Sequence, residues 1–213
     1  ENTDARSLLI SAYVYSGQFV QAEKESSRLS KILTLNEIEN QNLAIARFFQ
    51  QDLEGVFKMD LANQTDLTQI LSAYSNLLLS DEYNKVFDRT MASLATEDGK
   101  LLFQAAVAHS LKKYSEVSEN LNSISNKEEF YPFVNVLAAQ SLYELGNYDE
   151  ALEEYESIVK RSKHFDLIRI YIAEILIKQN EFSKAKATLL ALAKKYSKQP
   201  VIRKLLAIVN YSE

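Results

Sequence analysis

The sequence predicts an all-α chain of repeated antiparallel helix pairs, and three observations predict it. Glycine occurs only at 17, 55, 99 and 146 and proline only at 132 and 200, too few for the turns of an all-β or doubly wound α/β fold. Apolar residues recur at intervals of three and four, the spacing of one helix face. A pattern of small, aromatic and aliphatic residues also returns every 34 residues, and a fixed period of that length marks a stacked array. The 46% hydrophobic and 25% charged content is that of a globular protein.

The period is clearest in the second half. Ala139, Leu142, Tyr148, Ala151, Tyr155 and Ile158 become Ala173, Leu176, Phe182, Ala185, Leu189 and Leu192 one period on. One period back they become Ala105, Ala108, Tyr114, Val117, Leu121 and Ile124. Each unit breaks into two helices near Lys112-Lys113, Gly146-Asn147 or Asn180-Glu181. The small residue midway along the first helix lets two antiparallel helices approach closely. The aromatic at 114, 148 or 182 opens the second helix beside the turn.

Taken in order, residues 3–34 form a first unit with Gly17, Phe19 and Ala22 at its turn. Residues 36–64 form a second with a short second helix, weakened by Gly55. Residues 66–96 form a third with one residue dropped at the turn, after a helix start at Asn63-Gln64-Thr65-Asp66. A break in regularity is expected around 60–66. The well-matched units 97–130, 131–164 and 165–198 follow. Residues 199–213 supply a terminal helix with apolar residues on more than one face (Val201, Ile202, Leu205, Leu206, Ile208, Val209), whereas a cap should be polar outside. This helix is expected to meet a partner or to continue into more chain.

The chain resembles the tetratricopeptide repeat family. Its motif, W-x2-L-G-x2-Y…A-x3-F…P, is matched best by Asn135-x2-Ala138-Ala139-x2-Leu142 and then Ala151-x3-Tyr155. Tryptophan is absent and the unit-end proline survives only as a displaced Pro200, so the array is divergent. The resemblance implies a right-handed superhelical α-solenoid of about six helix pairs plus a terminal helix, in one domain over 1–213. It implies a non-enzymatic adaptor whose concave groove, lined by first helices, takes a peptide or an amphipathic helix of a partner protein. Projected onto this sequence, the groove contacts are Leu102, His109, Phe133, Val136, Gln140, Tyr143, Ile170 and Glu174. Phe48 and Phe49 hold inward positions in the second unit. Some family members clamp a C-terminal carboxylate with lysines, but Leu102, Val136 and Ile170 stand where those would be. The alternative is a module of a larger secretion, export or envelope assembly, self-associating through residues 199–213. The structural counterpart of the groove is a tight superhelix in which the same residues are core.

Other chemistries are poorly supplied. Without cysteine there is no disulfide, thiolate metal site or cysteine nucleophile. The scattered glycines build no phosphate loop. His109 and His164 are the two histidines, and no HxxxH, HxxE or ExxH cluster surrounds His109, so no metal and no cofactor is expected. The acidic run Glu144, Asp149, Glu150, Glu153, Glu154, Glu156 reads as a solvated face. Residues 166–213 hold nine Lys/Arg against four Asp/Glu, so residues 1–165 carry −10 of the chain's −5. The basic stretch Lys184, Lys186, Lys194, Lys195, Lys198, Arg203, Lys204 has only Tyr196 among it, which is not the stacking platform of a single-strand binder, and no nucleic acid is expected. No apolar run reaches a membrane span and no targeting pattern opens the sequence. Both a cytoplasmic and a bacterial periplasmic or envelope location fit.

Overall fold

The computed structural model describes residues 3–59, 64–80, 83–196 and 199–212. Thirteen α-helices lie among them: α1 Thr3–Ser16, α2 Phe19–Leu29, α3 Glu37–Phe49, α4 Leu53–Phe57, α5 Asp66–Leu79, α6 Tyr83–Ser93, α7 Glu97–Ser110, α8 Tyr114–Asn122, α9 Phe133–Glu144, α10 Tyr148–Arg161, α11 Asp166–Lys178, α12 Phe182–Lys195 and α13 Pro200–Ser212. No strand occurs among the described residues. Each odd helix packs on the even helix that follows it, and α2, α4, α8, α10 and α12 each pack on the next odd helix. This is an α-solenoid of six pairs and a seventh first helix.

The 34-residue period is written in the backbone. Gly17, Gln51, Lys112, Gly146 and Asn180 all have φ between 60° and 81°, and all follow the end of a first helix. At each, the left-handed residue donates its N–H three residues back and its successor donates five residues back, as in Gly146 to Tyr143 and Asn147 to Leu142. That pair of bonds closes the helix end and turns the chain. Gly17 and Gln51 are one period apart, and Lys112, Gly146 and Asn180 follow at the same interval. The step from Gln51 to Lys112 falls seven residues short of two periods, because α4 has only five residues.

The small positions do what their size allows. Ala22, Ala105, Ala139, Ala151, Ala173 and Ala185 are all fully buried where paired helices meet. Phe19, Tyr114, Tyr148 and Phe182 each open a second helix. Three aspartates at the start of first helices hold the chain that closes the same repeat. Asp66 accepts from the N–H groups of Ala95 and Thr96, and Asp98 from those of Ser125 and Asn126. Asp166 accepts from the Tyr196 hydroxyl at 2.6 Å and pairs with the Lys195 ammonium. The start signal before α5 resolves to Thr65, whose hydroxyl accepts from the Thr68 N–H. Asn63 and Lys198 lie outside the described residues.

The superhelix winds tightly enough to touch itself. The turn after α1 meets the junction between α10 and α11. His164 donates its N–H to the Ser16 carbonyl at 3.0 Å, and Ser162 donates its hydroxyl to the Tyr15 carbonyl at 2.5 Å. The Arg161 guanidinium lies 3.7 Å over the Tyr131 ring, which runs parallel to Tyr15 at 6.2 Å. A methyl group on Gly17 would lie 2.6 Å from the Phe165 nitrogen, so only glycine fits both that approach and the turn.

Candidate functional site

The inward face divides into a filled half and an open half. In the filled half, Phe48 from α3 lies 5.4 Å from Phe133 of α9 and 5.9 Å from Tyr74 of α5. Tyr74 in turn sits 5.7 Å from Phe133. Rings from the second, third and fifth repeats therefore meet across what would be the groove. Leu102, Phe133 and Val136, expected as groove contacts, are buried in this core and present no surface to a partner. The reason is curvature: the aromatic side chains close a superhelix that a looser array would leave open.

His109 is in the same half. Its Nδ1 is 2.8 Å from the Tyr74 hydroxyl, and the Tyr114 ring stands edge-on at 5.6 Å. Burial holds its pKa below 6.5, and burial, followed by the charges of Tyr114 and Tyr171, raises the Tyr74 phenol. A neutral imidazole bonded to a neutral phenol is a satisfied interior pair. Among the described residues, no group of three or more His, Asp or Glu is placed to hold a metal.

The open half is a cleft of about 830 Å³ between the first two repeats and the last two. Val20 gives it apolar surface on one side and Leu167, Ile170, Tyr171 and Val201 on the other, while Phe19, Phe49 and Ile202 back these residues as buried core. Phe165 stands at its base, 4.7 Å from Phe19 and 4.9 Å from Phe49. Five glutamines, Gln18, Gln21, Gln50, Gln51 and Gln199, line the cleft. Gln50 is spent on the Ala46 carbonyl and on Glu23, whereas Gln21, Gln51 and Gln199 are exposed. Sequence reasoning missed these amides. The signal was present as Gln18, Gln21, Gln50 and Gln51 clustered at the turns of two successive repeats.

Of the expected contacts, Ile170 and Glu174 line this cleft. Gln140 and Tyr143 lie on α9, and Gln140 reaches α11 by donating to the Tyr171 hydroxyl at 3.4 Å. Glu174 is half-buried, and that burial raises its pKa above 4.5 against the opposing pull of Lys204 and then Lys178. The structure thus brings Ile170 and Glu174 to the cleft, sets Gln140 against its lining residue Tyr171, packs Tyr143 against the core, and leaves Leu102, His109, Phe133 and Val136 in or beside the filled half.

Residues 142–209 match the tetratricopeptide repeat family. The match runs from the end of α9 into α13, and over that stretch the chain is similar to the tetratricopeptide repeat family. Solved structures extend the likeness over its whole length. Against the APC/C hetero-tetramer Cut9-Hcn1 the TM-score is 0.60 at 13% identity, over 97% of this chain and 42% of that one, so the array spans about two fifths of that protein. Against a tetratricopeptide repeat protein from Parabacteroides merdae ATCC 43184 the TM-score is 0.57 at 14% identity, over 98% of this chain and 84% of that one. At such identities the shared property is the fold. No curated protein matches the chain. No helix among the described residues is long and apolar enough to cross a membrane.

Proposed function

We propose that this array is a non-enzymatic adaptor that holds an extended segment of a partner protein in the cleft between its first and sixth repeats. The observation that carries this reading is the lining. Val20 on one side and Ile170 and Val201 on the other offer apolar surface, and unspent amides of Gln21, Gln51 and Gln199 stand among them. A side-chain amide has one acceptor and two donor hydrogens, which complements the C=O and N–H of an extended main chain. A helix keeps its main-chain groups to itself, so the glutamines favour an extended occupant over an amphipathic helix.

The test is retention of a capped octapeptide pool by the immobilised array, compared with Ile170→Arg. Ile170 is only partly buried, so this variant should keep its helical circular dichroism. Loss of retention supports the cleft, and unchanged retention by a folded variant overturns it. Val136→Glu is no substitute, because Val136 is core.

A second reading, self-association through α13, is favoured by one observation. Ala207 occupies the close-approach position that is fully buried at Ala105, Ala139 and Ala173, yet it is exposed beside Ile208 and Tyr211. Leu205 and Val209 are buried against the array, so Ile208→Glu is the substitution that tests this edge. A sedimentation coefficient that is independent of concentration, and the same for wild type and variant, would sink it.

A further inference from the structure

We propose that Glu174 reads a basic side chain, arginine or lysine, on the extended segment seated in the cleft. The inference rests on the cleft being the binding site and adds the chemistry of its occupant. The charged groups of the lining are unequally committed. Asp166 and Lys195 pair with each other, and Asp166 also accepts from Tyr196. Glu174 has no hydrogen bond and no ion pair with any described residue. Lys178, one turn along α11, and Lys204, on α13, act on it only through space. The cleft therefore contains one half-buried carboxylate without a donor, and a carboxylate accepts only from donors.

Lys204 and Lys178 offset part of that carboxylate's charge without contacting it, so a cation would be selected by direct contact with its oxygens. Tyr171 precedes Glu174 by one helical turn, stacked on Tyr155 at 5.4 Å and 11°. Burial raises the phenols of Tyr143, Tyr155 and Tyr171, and the Glu174 charge adds to each. Tyr155 is fully buried and covers one face of Tyr171, so the attraction for a guanidinium or ammonium comes from the carboxylate itself through a charge-assisted hydrogen bond. An acidic or neutral side chain at the same place would leave Glu174 unpaired or repel it. Ile170, on the same face of α11, takes the apolar part of the segment.

The experiment uses acetylated, amidated octapeptide pools with Arg, Lys, Gln or Glu fixed at one central position and mixed neutral residues elsewhere. Wild type should retain the Arg and Lys pools about fivefold better than the Gln pool, and the Glu pool least. Glu174→Gln is nearly isosteric and should keep its helical content. It should bind the Arg and Gln pools alike while still retaining both, and Glu174→Lys should reverse the order. Equal retention of the Arg and Gln pools by wild type overturns the proposal and leaves the cleft standing. A preference for Arg that survives in Glu174→Gln also overturns it. If wild type retains no pool, the cleft reading fails and this inference falls with it.

Discussion

The two halves of the inward face start from the same family positions and end differently. In the second to fifth repeats those positions carry Phe48, Tyr74, Leu102, Phe133 and Val136, and they meet in the middle as core. In the sixth they carry Ile170 and Glu174, and they border open space shared with the first repeat. A concave surface is thus not one kind of site. Large rings facing one another across a tight turn of superhelix become packing, and only where the walls stay apart can a partner enter.

The largest effect should come from the filled half. Phe133→Ala removes a ring that touches both Phe48 and Tyr74 and is 2% exposed. Loss of its transfer energy together with the cavity left behind should cost about 3–5 kcal/mol, read as a lower midpoint in urea. Ile170→Ala, in a partly exposed wall, should cost well under half of that. Equal losses would mean that the halves are not distinct.

Two glycines compare the closed end with a free one. Gly17 and Gly146 sit at the same turn with φ of 80° and 81°. A methyl group at Gly146 meets nothing within 4 Å, whereas at Gly17 it overlaps Phe165. Gly146→Ala should cost about 1 kcal/mol, the strain of a left-handed residue alone. Gly17→Ala should cost clearly more, about 2–3 kcal/mol, and expand the molecule in small-angle scattering as the first repeat leaves the sixth. Matching losses at the two sites would show that the closing contact contributes nothing to stability.

Much of this was legible in the sequence, and the missing part has a common cause. Helix pairing, the small positions and the aromatic at each second-helix start are set by neighbours within one period. So is the left-handed turn residue, although only Gly17 and Gly146 announce it, since Gln51, Lys112 and Asn180 adopt the same φ without glycine. The filling of the groove is set by contacts spanning several repeats, such as Phe48 with Phe133 and Gly17 with Phe165. Curvature accumulated over four repeats decides whether such rings meet, and no single unit encodes it. Ile170 and Glu174 stay only partly buried and border the cleft, whereas Leu102, Phe133 and Val136 are enclosed.

A smaller effect separates structural from recognition polar groups. Tyr74→Phe keeps the ring stack and leaves His109 Nδ1 without its partner, so about 1 kcal/mol should be lost. The Gln and Arg pools should be retained as by wild type, because this pair lies outside the cleft. A change in the Arg preference would instead couple the two halves.

The smallest expected effect is one of pH, and its sign differs between the halves. His109 is lowered by burial, so the stability tied to its neutral form is present above 6.5 and is lost as pH falls through the folded-state value. Glu174 is raised by burial. Its contribution is fully present below 4.5, where the carboxyl is protonated in both states, and is lost as pH rises through the folded-state value. At pH 7 the ionised carboxylate therefore costs stability, and Glu174→Gln should melt higher than wild type, by no more than about 2 °C after allowing for solvent screening. Below pH 4.5 the difference should vanish. His109→Gln should show the opposite dependence, gaining on wild type only as the solution is acidified below 6.5. A Glu174→Gln protein that melts below wild type at pH 7 would mean that the carboxylate already has a stabilising partner within the chain. The reason for assigning it a cation from outside would then be gone.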